Sequence, residues 1–133
     1  QKEDLILIQK NNVVMANNVF GEALITCSNE PKTGYFRDGC CNTDQTDAGL
    51  HTVCIVVTEK FLQFSKLAGN DLSTPMPQFN FPGLKPGDKW CLCALRWKEA
   101  LLYNQAPKVV LEATHEKTLD VIGLNDLIKY ASI

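Results

Sequence analysis

The alternation of apolar and polar positions is clearest between His51 and Val57. In an extended chain, Val53, Ile55 and Val57 share one face, and Cys54 lies on the opposite face. Because both faces are apolar, this segment predicts a central strand that is buried on both sides.

Other segments have the β-branched or alternating composition of strands but are less regular, namely residues 23–27, 89–95, 108–113 and 118–122. The second of these is followed directly by helical spacing through Trp97 and Ala100. We therefore predict a strand followed by a helix at 96–104. A single helix capped by Asp88 is the alternative.

Helical spacing recurs in three segments of the chain. Thr58 is the predicted N-cap of the first helix, and Gly69 ends that helix. The second helix is predicted at 96–104, and the third is an amphipathic helix at 124–131. Strands and helices follow one another without a repeated unit. This order indicates an α+β fold, a small two-layer sandwich of a mixed sheet and about three helices, with long ordered loops.

Length and composition exclude several classes of protein. The chain has 133 residues, which is the size of one domain. We expect residues 1–16 to be a leader and residues 17–133 to form that domain. The hydrophobic fraction of 45% contains no run long enough to span a bilayer, so no membrane partner is expected. A formal net charge of -2 leaves no basic excess for nucleic acid. The sequence does not determine an oligomeric state.

The six cysteines indicate either a disulfide framework or a set of free thiols. The first ten residues, QKEDLILIQK, lack the pattern of a signal peptide. A core of this size can also be stable without disulfides. We therefore expect a cytoplasmic protein with free thiols.

A metal site is the minority interpretation of the same cysteines. Cys91 and Cys93 lie two apart on a predicted strand and share a face, and Cys40 and Cys41 are adjacent. The usual Cys-x-x-Cys knuckle is absent, so neither a metal nor a cofactor is predicted.

The candidate site lies in the stretch from Gly34 to Cys54, GYFRDGCCNTDQTDAGLHTVC, which combines glycines, turn-forming residues and thiols. Cys41 is the predicted nucleophile and Cys40 the second choice, because the loop after Gly39 can expose N–H groups that bind anions. Cys41 is expected to face that loop surface, and Cys40 to face the core. His51 is the candidate general base, with His115 as the other histidine.

The ligand-binding residues are predicted from charge and from position beside the thiols. Arg37, Asp38 and Gly39 would bind the ligand from the loop, and Cys91, Cys93 and Arg96 would line the same pocket from the strand. Arg96 would need a carboxylate partner, for which Asp38 and Glu112 are candidates.

Several unusual strings of residues resemble one protein family. They are RDGCCNT (37–43), GLHTVC (49–54), GNDLSTP (69–75), FPGLKPGDKWCLCALRWKEA (81–100) and VVLEATHEKTL (109–119). Together they closely resemble a family of small, mostly bacterial proteins, the domain of unknown function numbered 2237. The resemblance extends from about residue 17 to the C-terminus. It implies a small α+β two-layer fold and supplies no catalytic residues.

Two functions remain open from the sequence. The first is a thiol-lined pocket that binds a small anionic molecule or acts on it. The second is a non-catalytic interaction or structural domain whose buried cysteines are inert. A cleft containing a perturbed thiol site would favour the first function, and a sealed cysteine cluster would favour the second.

Overall fold

The central strand β1, His51–Val56, forms where the sequence alternates between two apolar faces. In the computed structural model, which describes residues 16–132, β1 lies between β2 (Lys89–Cys93) and β3 (Lys108–Val109). Both neighbours pair with it in the antiparallel direction. The sequence prediction of a central buried strand is confirmed.

The register between β1 and β2 determines which side chains meet across the sheet. Cys54 lies opposite Cys91, and His51 lies opposite Cys93, with a bulge after His51. Paired residues on antiparallel strands hold their Cβ atoms about 4.5–5.5 Å apart. The pairing therefore brings a histidine and a cysteine together at one end of the strands.

Three helices follow the strands in the positions that the sequence predicts. They are α1 (Glu59–Leu67), α2 (Ala94–Leu102) and α3 (Leu124–Lys129). Helix α1 begins at Thr58, whose Oγ1 accepts a hydrogen bond of 3.0 Å from the N–H of Phe61. Helix α2 begins directly after β2, so the alternative of a single helix from Asp88 is wrong. No helix within residues 16–132 is long and apolar enough to cross a membrane.

The two faces of the sheet contact different layers. One face contributes Val53, Ile55 and Leu92 to the main core, where they pack with Phe61 and Trp97 from the helices. The indole N–H of Trp97 donates to the carbonyl of Pro107 at 3.1 Å, so this large buried side chain leaves no unpaired donor. The opposite face carries Cys54 and Cys91 into a separate cluster with Cys27, Cys41 and Ala113. The irregular segment 16–50 therefore covers the face opposite the core.

The α+β fold class is confirmed. Within residues 16–132 the sheet has three strands, and both pairings are antiparallel where a mixed sheet was expected. One isolated parallel bridge joins Val109 to Ala131. The segment 70–86 is a loop that contains a single 3-10 turn at Pro77–Phe79.

Three of the shorter strand predictions need correction. Residues 23–27 form no strand, because their N–H groups bond to scattered carbonyls, such as that of Gly39 for Cys27 and that of Glu112 for Ile25. The 108–113 strand stops at Val109, and a 3-10 turn occupies Leu111–Ala113. A 3-10 helix, Glu116–Asp120, replaces the start of the strand predicted at 118–122, and residues 121–122 are not in a strand.

Candidate functional site

Four of the six cysteines form disulfides, which corrects the expectation of free thiols. Cys27 bonds to Cys54, and Cys41 bonds to Cys91. Cys40 and Cys93 are the free cysteines. The expectation was wrong because it rested on the cell compartment and on the size of the core, whereas the fold brings four sulfur atoms together behind the sheet.

The orientations predicted for the adjacent cysteines are reversed. Cys41 is completely buried in its disulfide, while Cys40 is partly exposed. Cys40 donates its backbone N–H to the carboxylate of Asp38 at 3.0 Å, so Asp38 forms a local turn and does not reach the cavity described below. A sulfur atom in a disulfide is not a thiolate, so in this state Cys41 cannot act as a nucleophile.

The other free cysteine, Cys93, lies at the junction of β2 and α2. It is the N-cap residue of α2, but its side chain makes no capping hydrogen bond. The N–H of the next residue, Ala94, donates to the carbonyl of Leu50 at 2.9 Å, which ties the start of the helix to the loop before His51. Cys93 is therefore held beside His51, with its sulfur free for other contacts.

His51 is held in turn by a buried carboxylate that the sequence analysis did not select. Asp47 accepts from the backbone N–H of His51 at 2.9 Å and from the hydroxyl of Thr43 at 2.9 Å. Its other oxygen lies 2.7 Å from Nδ1 of His51. Because Nδ1 is engaged, Nε2 is the ring nitrogen left open to other partners. Cys93, His51 and Asp47 thus place a thiol, an imidazole and a carboxylate in one series of neighbours.

The electrostatics of this series favour a charged imidazole. The hydrogen bond with the Cys93 side chain is the largest cause that raises the pKa of His51, and the bond with Asp47 adds to it. Burial opposes both, and the resulting pKa is about 9. Hydrogen bonds from His51 and Thr43 outweigh burial and lower the pKa of Asp47. At neutral pH the site therefore holds a cationic His51 and an anionic Asp47.

Gly49 leaves the space in which the cysteine and the histidine meet. A Cβ atom at this position would lie 3.1 Å from Sγ of Cys93 and 3.2 Å from Cε1 of His51. Both distances are shorter than ordinary van der Waals contacts. A side chain here would require Cys93 or His51 to shift by a few tenths of an ångström.

A cavity of about 280 Å³ opens beside Cys93 and His51. Its wall includes Arg37, Tyr35 and Trp90. The Tyr35 ring stacks on the ring of His51 with centroids 5.9 Å apart, and the Arg37 guanidinium lies 5.7 Å from the centre of the Trp90 ring. The cavity therefore combines a thiol with two cationic groups and aromatic walls.

The predicted site residues are only partly brought together. Arg37, His51, Cys91 and Cys93 line the cavity, with Cys91 in its disulfide form. Arg96 lines a neighbouring depression with Cys93 and Gly49. Its carboxylate partner is Glu99 at 3.2 Å, and neither Asp38 nor Glu112 pairs with it. Asp38, Gly39, Cys40 and Cys41 lie outside the cavity lining.

Asp47 is the residue that sequence reasoning missed. Its type and position, in a polar loop four residues before His51, are also those of an ordinary turn residue. The useful signal was the combination of Asp47, His51 and the tight glycine between them.

Comparison with known families gives a match over nearly all of the described residues. Residues 17–131 match the family described as "Uncharacterized protein conserved in bacteria (DUF2237)". No curated protein matches the chain significantly. The matched range includes the cavity, the cysteine pairs and all three strands. The chain accordingly belongs to this bacterial DUF2237 family.

Proposed function

We propose that this protein is a cysteine-dependent enzyme that acts on a small anionic molecule bound in the cavity beside Cys93. The observation that carries the proposal is the series Asp47, His51 and Cys93, in which a buried carboxylate orients an imidazole beside a free thiol. A nucleophile, a base and an orienting group in this order are the parts that covalent catalysis requires.

The chemistry requires the sulfur of Cys93 as a thiolate beside the cationic ring of His51. The sulfur attacks an electrophilic carbon of the substrate, so a sulfur–carbon bond forms as the bond to the leaving group breaks. His51 gives its Nε2 proton to the leaving group as a general acid. Neutral His51 then removes a proton from water, which attacks the same carbon and releases Cys93. Asp47 keeps the imidazole in one orientation throughout.

Backbone N–H groups at the start of α2 lie beside the reacting sulfur. The first N–H groups of a helix have no carbonyl partner within the helix, and the helix dipole favours negative charge there. The N–H of Ala94, directly after Cys93, already donates to the carbonyl of Leu50, and those of Leu95 and Arg96 come next in the chain. They are the candidates to stabilise the negative charge that develops on the substrate.

The charge of the cavity supports an anionic substrate. Arg37 and cationic His51 both line it, and no Asp or Glu in the described part of the chain does. An arginine can bind a carboxylate or phosphate through two parallel hydrogen bonds. The volume is at the lower end for ligand pockets, which favours a small molecule.

The second candidate is a non-catalytic domain with inert cysteines, and the two buried disulfides favour it. In that case the bonds between Asp47 and His51 would only stabilise the loop that precedes β1. A cytoplasmic location also remains a proposal from the sequence.

Competition between two alkylating reagents tests the proposal. Iodoacetate is anionic and iodoacetamide is neutral, and they are otherwise similar in size. The quantity compared is the ratio of the iodoacetate rate to the iodoacetamide rate. At pH 7 we expect this ratio to be about tenfold higher at Cys93 than at Cys40, which corresponds to about 1.4 kcal/mol of charge attraction. Peptide mass spectrometry after quenching measures both sites in one sample, so Cys40 is the internal control.

Variants then separate the charge of the pocket from the activation of the thiol. Arg37→Gln should reduce the iodoacetate preference and leave the iodoacetamide rate unchanged. His51→Gln should slow both reagents at Cys93 but not at Cys40. If wild-type Cys93 reacts with both reagents no faster than Cys40, the enzyme proposal is wrong and the non-catalytic domain is preferred.

A further inference from the structure

Four cysteines from four separate parts of the chain converge behind the sheet. Cys27 and Cys41 come from the irregular segment, Cys54 from β1 and Cys91 from β2. The sulfur atoms of Cys27, Cys41 and Cys54 all lie within 4.8 Å of one another. The fourth sulfur, that of Cys91, is bonded to Cys41. Two disulfides therefore lie side by side, and all four residues are buried.

We propose that, when the two disulfides are reduced, Cys27, Cys41, Cys54 and Cys91 form a tetrahedral site for a thiophilic divalent metal such as zinc. Four thiolates are a common ligand set for structural zinc. These four residues do not include Cys93 or Cys40, so this site does not depend on the proposed catalytic function.

The distances are compatible with that change of state. A zinc–sulfur bond of about 2.3 Å places the sulfur atoms of a tetrahedral site about 3.8 Å apart. The sulfur atoms of Cys27, Cys41 and Cys54 already lie within 4.8 Å of one another, whereas that of Cys91 lies outside this group and would move towards Cys27 and Cys54. Rotation about χ1 moves a cysteine sulfur atom while its Cα atom stays in place, so the strands need not separate for the sulfur atoms to reach this spacing.

Hydrogen bonds that do not involve sulfur hold the ligand positions. The N–H of Cys54 donates to the hydroxyl of Thr114 at 3.1 Å, and that of Cys91 donates to the hydroxyl of Thr33 at 2.9 Å. The N–H of Cys27 donates to the carbonyl of Gly39 at 2.8 Å. Since Cys54 and Cys91 also face each other across the sheet, the backbone keeps the four residues close when the sulfur–sulfur bonds are absent.

The exchange between the two states balances as follows. Reduction of two disulfides consumes four electrons and four protons, which two molecules of a dithiol supply as they close to their own disulfides. Binding of one divalent ion by four thiolates then releases four protons to solvent. In the reverse direction the four thiolates give four electrons to two molecules of a disulfide, which take up four protons to become dithiols, and the metal ion is released as the two protein disulfides form. In a reducing compartment the metal-bound state would take the place of the disulfides.

Cobalt(II) is the probe for this site, because it replaces zinc in tetrahedral thiolate sites and is coloured there. The full chain would first be assayed in its oxidised form, which should have two free thiols, those of Cys40 and Cys93. A phosphine then reduces both disulfides and becomes a phosphine oxide, with its oxygen atom taken from water. This reductant is chosen because it contains no thiol that could bind the metal. We expect the six-thiol protein to bind one equivalent of cobalt with tetrahedral thiolate bands, and one equivalent of zinc to displace it.

Matched variants assign the ligands. Cys40→Ser with Cys93→Ser removes two thiols and should leave the spectrum and stoichiometry unchanged, whereas Cys54→Ser should lose the tetrahedral tetrathiolate spectrum. Native mass spectrometry gives the number of metal ions and of protons lost, and circular dichroism reports whether the metal restores the fold. Reduced wild-type protein that binds much less than one equivalent would overturn the proposal, whether or not it stays folded. The proposal would also be overturned if cobalt binding persisted in Cys54→Ser and were lost in the variant that lacks the thiols of Cys40 and Cys93.

Discussion

At the scale of single residues, the two histidines of the chain lie in opposite environments. His51 lies beside the thiol of Cys93 and forms a hydrogen bond with Asp47. Its pKa is raised to about 9. His115 is buried, which lowers its pKa, and its Nδ1 accepts a hydrogen bond of 3.0 Å from the N–H of Lys117. One ring is therefore charged at neutral pH and the other is neutral.

This difference predicts two separate histidine titrations. In a proton NMR titration, the chemical shifts of the His115 ring should change with a midpoint below pH 6.5. Those of the His51 ring should change with a midpoint near pH 9. Asp47→Asn should lower the pKa of His51, since it removes one of the groups that favour the charged ring. The ring signals that disappear in His51→Gln are those of His51. Two histidines that both titrate near 6.5 would contradict the described site.

The same pKa values set the direction of the pH dependence of stability. The pKa of His51 is higher in the folded state than its ordinary value of 6.5. Protonated His51 therefore stabilises the fold fully below pH 6.5, and this contribution is lost as the pH rises towards about 9. The pKa of Asp47 is lowered from 3.8, so its contribution is present above that value and is lost as the pH falls below it.

Gly49→Ala tests whether close approach of Cys93 and His51 matters. The new Cβ would crowd both side chains, so we expect the alkylation rate of Cys93 to fall several-fold, while that of Cys40 stays constant. Gly123→Ala is the matched control, because a Cβ there meets no atom within 4 Å. Neither glycine has a positive φ, so backbone strain does not separate the two variants. Equal Cys93 rates in both variants would show that the tight contact has no role in thiol reactivity.

At the scale of elements, the irregular segment 16–50 acts as a second layer on the sheet. It contains few regular hydrogen bonds of its own, and two disulfides with sequence separations of 27 and 50 residues connect it to β1 and β2. Asp47, Tyr35 and Arg37 all belong to this segment. The disulfides thus stabilise the layer that carries half of the candidate site.

Removal of one disulfide should measure how much stability that layer gains. Under oxidising conditions, Cys27→Ala with Cys54→Ala should lower the free energy of unfolding by about 3–4 kcal/mol, from the loop-closure entropy of a loop of this length. Cys40→Ala is the control, and its effect should stay within about 0.5 kcal/mol because this side chain is partly exposed and forms no disulfide. Urea unfolding followed by tryptophan fluorescence measures both. A double variant as stable as the control would mean that the layer is held by packing alone.

At the scale of the whole molecule, local sequence patterns predicted the elements that have strong periodicity and clear caps. The central strand, the cap at Thr58, the strand-to-helix change near Cys93 and the terminal helix all follow from contacts between residues a few positions apart. The α+β class follows from the order of these elements. The weaker strands failed because their few residues bond to distant carbonyls, as Cys27 does to Gly39, or form 3-10 turns.

The sequence by itself therefore determined the fold class and the main elements, and it selected His51, Arg37 and Cys93, which line one cavity in the fold. Only the tertiary structure decided which cysteines pair, which face of the loop Cys40 and Cys41 occupy, and that Asp47 holds His51. The physical reason is distance along the chain. Disulfide partners here are 27 and 50 residues apart, and the register of β1 against β2 decides which thiol meets the histidine. Periodicity reports the neighbours of a residue within its own element, whereas these contacts depend on how separate elements pack.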